Sequence, residues 1–334
     1  MDELILEVNN LKTYFFLASG VAKAVDGVSF QLHKGETLGV VGESGSGKSV
    51  MSKCVIRLLE KVGRIVEGEI KFEGRDVLSF SEKELMAYRG QDVSMIFQDP
   101  MTSLDPVFRV GDQMMENLRI HRGLDKAEAR KVAIEALRSV GIPNPEARFE
   151  AYPFELSGGM CQRVIIAMAL CCNAKVILAD EPTTALDVTV QAQVLHLLKE
   201  LQRTNDIGLM IITHNLGVVW DVCDRAMVMY AGKVVEAADV KSLYAKPMHP
   251  YTWGLLDSMP SLSSERKADL STIPGTPPDL RLTGKACNFA NRCPYAQDIC
   301  SKEVPELVEV ELGHLVACHR QTLDTHLERA KGGK

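Results

Sequence analysis

The stretch GESGSGKS, residues 42–49, has the residue types and spacing of a loop that holds a phosphate chain. Gly42, Gly45 and Gly47 let backbone amides turn inward around phosphate oxygens, Ser44 and Ser46 complete that cradle, and Gly47 leaves room for close approach. Lys48 can reach the outer phosphates and Ser49 can ligate Mg2+, while a helix starting here adds partial positive charge. A second candidate is VILADEP, where four apolar residues end in two adjacent carboxylates. Asp180 suits a water-mediated Mg2+ contact, and Glu181 is placed to polarise an attacking water as general base. Alone, such a pair reads as two solvated acids at a strand end; beside a phosphate loop it reads as chemistry.

Two further strand-like runs end in polar residues: SMIFQDP delivers Gln98 and LMIITHN delivers His214. Each alone is most often a satisfied loop residue. ELSGGMCQRVIIAMAL opens with Ser157, which can cap a helix, followed by Gly158 and Gly159, and is a second helix N-terminus suited to an anion. Its apolar face runs through Val164, Ala167, Met168 and Cys171.

A different chemistry is offered near the end of the chain. Cys287, Cys293, Cys300 and Cys318 are separated by five, six and seventeen residues in a proline-rich segment. Four soft thiolates can complete a tetrahedral zinc site or an iron–sulfur cluster; the close pair usual for structural zinc is missing, so the spacing leaves both open, with unligated thiols a third reading. His314 and His319 can each substitute for a cysteine. The other five of nine cysteines have apolar neighbours and read as small core residues, and disulfides are the weaker alternative throughout.

The elements that must position these groups follow from hydrophobic patterning. Short apolar runs at 37–41, 93–97, 176–179 and 209–213 alternate with helix-period segments at 50–60 and 126–140. In the first of these helices Met51, Val55, Leu58 and Leu59 share a face. The alternation predicts an α/β domain with a mostly parallel central sheet. Eight of fourteen prolines fall between Pro247 and Pro305, so composition shifts toward loops and a domain boundary is placed near residue 240. KPMHPYTWGLLDSMP reads as an ordered loop with Tyr251 and Trp253 as packed anchors, and ERAKGGK as a frayed tail. Net charge is −6 with no basic cluster, which argues against nucleic acid as the main partner. MDELILEV carries acid where a signal peptide would carry positive charge. The longest apolar run, residues 164–172, is far short of the roughly 18 to 20 residues of a membrane-spanning helix.

With the phosphate loop, LSGG, the DEP strand end, TALD at 184–187 and His214 in this order, the chain resembles an ABC-type ATPase over roughly residues 4–240. The resemblance implies a P-loop NTPase fold with an antiparallel β subdomain and a helical subdomain at about 99–172. It implies that Ser157 and Gly159 grip the γ-phosphate held by a second copy's phosphate loop, so two ATPs are sandwiched head to tail between identical or homologous subunits. Gln98 would sense Mg2+ and the attacking water, Asp187 would signal across the dimer, His214 would contact the γ-phosphate, and Phe15, with Tyr14 its rival, would stack on adenine. Met160 stands where glutamine is usual, a change common in the peptide-permease branch; Cys161, where arginine is usual, is assigned only to helix packing.

KPMHPYTWGLLDSMP is similar to the extension of dipeptide and oligopeptide permease ATPase subunits, which places residues 241–334 in a small, loop-rich, metal-binding extension. In that branch all four cysteine positions match a tail holding a 4Fe-4S cluster, zinc being the alternative, read here as a staple rather than a part of hydrolysis. The segment from Gln98 to Leu156 resembles the surface that receives a transporter's coupling helix. The implied function is an ATP-hydrolysing subunit, peripheral on the cytoplasmic face of the cell membrane, that energises peptide import. Its implied partners are two membrane permease subunits and, indirectly, an extracytoplasmic peptide-binding protein. The rival readings are a soluble ABC-type ATPase of repair or assembly, and a cluster-based redox protein regulated by nucleotide.

Overall fold

The computed structural model describes residues 3–184, 186–259, 272–323 and 325–329. Part of the proline-rich linker (260–271), Ala185 of TALD and most of the ERAKGGK tail lie outside the described residues. Backbone packing divides the chain into two units, one of residues 1–6, 32–37 and 72–212, the other of residues 7–31, 38–71 and 213–334.

In the first unit, strand Val93–Ile96 runs parallel to Val176–Asp180, which runs parallel to Gly208–Thr213. The registers Ile96↔Ala179 and Asp180↔Ile212 bring the strand ends carrying the polar motifs to the same edge. Val176–Asp180 and Gly208–Thr213 are buried at every position, which is why they read as continuous apolar runs rather than alternating ones. Helix Lys126–Ser139 packs against both Val110–Arg122 and Gly158–Cys171 through Ala129, Ala133, Ile134 and Leu137, the small residues allowing close approach. Asp125 caps it, accepting from the Ala127 and Glu128 amides.

The second unit carries the hairpin of Leu4–Leu17 and Gly20–His33, with Gly63–Phe72 beside the first strand of that pair. Strand Thr37–Val41 pairs in parallel with Arg225–Tyr230. From there the sheet turns antiparallel through Lys233–Asp239, His314–Val316 and Val308–Glu311. The C-terminal extension thus adds two strands to the sheet that carries the phosphate loop.

Two expectations need correction. The helix expected at 50–60 is Lys48–Val55; Arg57 turns left-handed at φ 51, the Leu58 amide donates back to Lys53 O, and Leu58 is exposed. KPMHPYTWGLLDSMP is not a loop, since residues 250–257 form a helix with Pro250 at its first turn and His249 as cap, its Nδ1 accepting from the Tyr251 amide at 3.0 Å. Burial pushes the His249 imidazole down to about 4, so at neutral pH it keeps the lone pair this cap uses. The extension also has a small core of its own, formed by Met248, Val310 and Val316 with Val308 and Cys318 packed against it. It is pinned by Glu236, fully buried, whose carboxylate accepts from the Met248 and His249 amides (2.6 and 2.9 Å) and pairs with His314 Nε2 at 2.8 Å.

Candidate functional site

The buried strand Thr37–Val41 delivers the phosphate loop. A Cβ on Gly42 would lie 2.2 Å from Met229 O, and one on Gly47, held at φ 101, 2.2 Å from Ala24 O, so no other side chain fits at either position. Helix Lys48–Val55 follows directly, with no acidic residue in its first turn to offset its positive end. Lys48 is buried and its ammonium donates to Gly42 O (2.7 Å), Glu43 O (2.9 Å) and Ser46 Oγ (3.3 Å). The loop therefore presents a lysine held over its own carbonyls, with Ser44 and Gly45 exposed at its tip and Ser49 half-buried on the helix.

At the strand ends of the first unit, Asp180 is buried and Glu181 sits at φ 48, a left-handed conformation that costs a non-glycine residue free energy and persists where surroundings over-determine it. Its amide donates to Ile212 O at 2.9 Å. Its carboxylate Oε2 accepts from Gln98 Nε2 at 3.0 Å and from Thr184 Oγ1 at 2.8 Å. Two neutral donors from separate loops orient this carboxylate. Gln98 and Glu181, 83 positions apart, are thus brought together. Thr184 was not singled out by sequence; its place three residues after the acid in TTALD was the available signal.

Ser157 caps helix Gly158–Cys171, its Oγ accepting from the Met160 amide at 3.3 Å, and both Ser157 and Gly158 are exposed. A Cβ on Gly159 would lie 2.8 Å from Val190 Cγ1. Asp187 caps helix Val188–Asn205, accepting from the Thr189 and Val190 amides. Cys161 is buried, with its thiol against Pro153 O. In the second unit His214 is exposed just after strand Gly208–Thr213. The Tyr14 hydroxyl donates to Asp26 at 2.8 Å; burial and that carboxylate push it up to about 12. Phe15 is half-buried with its ring close to Gly63.

None of the nine cysteines is in a disulfide. Cys287, Cys293, Cys300 and Cys318 line one cavity of about 20 Å³ together with Phe289, Tyr295 and His319. Yet no group of three or more His, Cys, Asp or Glu side chains among the described residues is placed to hold a metal ion, so the expected metal-binding geometry is not met. Burial, and then the neighbouring thiols, push Cys287 up to about 11. Burial likewise raises Cys293 and Cys318. Burial of Cys287, Cys293 and Cys318 favours the neutral thiol, which packs like a small apolar group rather than as a thiolate ligand. The donor types suit a soft metal, and one shared cavity gathers all four, though not in a ligating arrangement.

The extension reaches the phosphate loop itself, which the reading of a separate staple did not anticipate. Arg292, on the segment between Cys287 and Cys293, forms a two-pronged ion pair with Glu43 (2.6 and 2.9 Å), and the Tyr251 hydroxyl accepts from the Glu43 amide at 2.8 Å.

Together, the parallel strands, the phosphate loop and the Gln98–Glu181 pair define a P-loop ATPase of the ABC type. The ABC transporter family model matches residues 25–184, and that of the oligopeptide/dipeptide transporter C-terminal region matches residues 235–300. The chain is 51% identical to the oligopeptide transport ATP-binding protein OppD of Bacillus subtilis, over 93% of this chain and 87% of that one. It is 49% identical to OppD of Salmonella typhimurium, over 95% and 94%. Among solved structures it is similar to the dimeric, post-hydrolysis state of the ATP-binding cassette MJ0796 bound to ADP and Pi. That match has a TM-score of 0.64 at 27% identity and covers 70% of this chain and 98% of that one. The chain belongs to the ABC transporter ATP-binding proteins, in their oligopeptide/dipeptide branch.

Proposed function

We propose that this chain is the ATPase that energises import of oligopeptides or dipeptides through separate membrane permease subunits. The observation that carries the proposal is the family likeness running through both motor and extension, since the extension is what separates this branch from ABC ATPases of other work. No helix among the described residues is long and apolar enough to cross a membrane, so translocation falls to other chains. In this reading the motor is residues 1–240, with its helical subdomain at about 99–172, and the extension is residues 241–334.

Lys48 and the amides of residues 42–47 take the ATP phosphates, Phe15 or Tyr14 the adenine, and His214 the γ-phosphate. Ser49 and Asp180 would hold Mg2+, which screens the phosphate charge, with Gln98 beside it. Glu181 takes the proton of the attacking water while Gln98 and Thr184 hold its carboxylate. Ser157, Gly158 and Gly159 serve the ATP of a second subunit, and Asp187 lies at that dimer face. Mixing Lys48→Ala with Ser157→Ala chains should restore about a quarter of wild-type ATPase activity, because half the dimers are mixed and each keeps one intact site. Exchanged mixed dimers as inactive as either parent would remove the shared site.

A groove of about 970 Å³ along helix Val110–Arg122, bordered by the exposed apolar side chains of Phe108 and Ile120, supports docking of permease coupling helices on the cytoplasmic membrane face. A pair of permeases and, indirectly, an external peptide-binding protein complete the assembly. For the extension we keep the reading of a 4Fe-4S centre on Cys287, Cys293, Cys300 and Cys318, with zinc the alternative; the shared cavity supports it. The test is reconstitution with the permeases in proteoliposomes, where ATP should drive peptide uptake and Glu181→Gln should abolish it. Turnover without membrane copurification favours the soluble repair or assembly ATPase, and turnover that requires an electron donor favours the redox protein.

A further inference from the structure

Arg292 is 8% exposed, and its guanidinium has all five N–H donors placed. Nη1 donates to Glu43 Oε2 (2.6 Å) and to the Tyr230 hydroxyl (3.3 Å), Nη2 to Glu43 Oε1 (2.9 Å) and Ile273 O (3.2 Å), and Nε to Pro274 O (2.9 Å). The side chain stands on an aromatic floor in which Phe289 meets Tyr230 at 5.2 Å and Tyr251 at 5.4 Å. Glu43 is the second residue of the phosphate loop and is held at both ends by the extension, its carboxylate by Arg292 and its amide by Tyr251. Its remaining backbone group, the carbonyl, accepts from Lys48 Nζ at 2.9 Å and from the Ser46 amide at 3.2 Å. Fixing Glu43 therefore fixes where the lysine and the loop's inner turn rest.

We infer that Arg292 is a positioning residue for ATP, acting from the extension through Glu43 on the phosphate loop. Two of its donors grip the Glu43 carboxylate while the other three, bound to Tyr230, Ile273 and Pro274, hold the guanidinium in place. It also neutralises a carboxylate that would otherwise stand among the loop residues that meet the nucleotide's negative phosphates. The extension is on this account a working part of the motor. The inference rests on the reading of residues 42–49 as the ATP site; wild-type protein that fails to bind Mg-ATP would take down that reading, not merely this step.

The experiment is a double-mutant cycle on the full chain with Arg292→Ala, Glu43→Gln and both, reading equilibrium Mg-ATP affinity together with KM and kcat. Arg292→Ala should weaken ATP binding and raise KM by about tenfold with kcat within about twofold, part of the cost of a broken buried pair falling on the loop. Adding Glu43→Gln should recover most of the affinity, because the uncompensated carboxylate is gone. A role limited to packing would lower thermal stability without moving affinity and would not respond to Glu43→Gln. Soluble Arg292→Ala that binds ATP within about twofold of wild type, or a loss that Glu43→Gln leaves unrelieved, overturns the inference. If Arg292→Ala does not fold, Arg292→Lys carries the same reading: charge without the fork should cost about threefold in affinity, and an unchanged affinity overturns it.

Discussion

Glu181→Gln should bind Mg-ATP with near wild-type affinity and hydrolyse it at least about a hundredfold more slowly, the usual scale for removing a positioned general base. The amide keeps the shape of the carboxylate and can still accept from Gln98 Nε2 and Thr184 Oγ1, both of which meet the same oxygen. It cannot take a proton from water. The left-handed backbone at φ 48 is independent of the side chain's charge and is held by the bond from the Glu181 amide to Ile212 O, so the strand end should be undisturbed. ATP should then accumulate in closed dimers, visible as a shift in size-exclusion elution that wild-type protein shows only transiently. Single-turnover hydrolysis within about tenfold of wild type would remove Glu181 from the role of base. Gln98→Ala is the informative companion: it leaves the base but removes the Gln98 Nε2 donor from its carboxylate, so its loss should be smaller than that of Glu181→Gln.

What could be read from sequence follows from how locally each feature is encoded. The buried parallel strands announce themselves as apolar, β-branched runs, and Thr37–Val41 has the bounds that its composition predicts. The phosphate loop is a contiguous motif in which Gly42 and Gly47 are demanded by backbone carbonyls 2.2 Å from where a Cβ would sit. The end of helix Lys48–Val55 escaped because residues 56–59 are as apolar as the helix itself, and only the left-handed turn at Arg57 stops it. Helix Pro250–Asp257 escapes for the opposite reason: its flanking prolines read as loop signals, although proline at a first helical turn after a capping residue is a helix start. The Gln98–Glu181 contact is legible only through resemblance. The Arg292–Glu43 pair joins positions 249 apart, and no local pattern on a proline-rich segment could point to it.

That long-range pair changes what the cysteines should do. Anaerobically prepared protein is expected to be brown and to contain iron and acid-labile sulfide, and Cys→Ser at 287, 293, 300 or 318 should remove most of the metal. Four metal–thiolate bonds can supply folding free energy on the order of 10 kcal/mol, as structural zinc does in small domains. The loss should nevertheless stay local. Strand His314–Val316 is paired with Lys233–Asp239, and Glu236 holds the Met248 and His249 amides and His314 without help from any thiol. Hydrogen exchange in a Cys293→Ser variant should therefore quicken first across residues 287–300, while residues 314–316 stay protected. Because Arg292 sits on that same segment, ATP affinity should weaken too, by less than in Arg292→Ala, since a loosened segment still carries the guanidinium. Stoichiometric zinc without iron would sink the iron–sulfur assignment. A segment equally protected with and without metal, with all four thiols open to alkylation, would sink the staple, leaving the small core of Met248, Val310 and Val316 and the Arg292 fork to hold the extension on the motor.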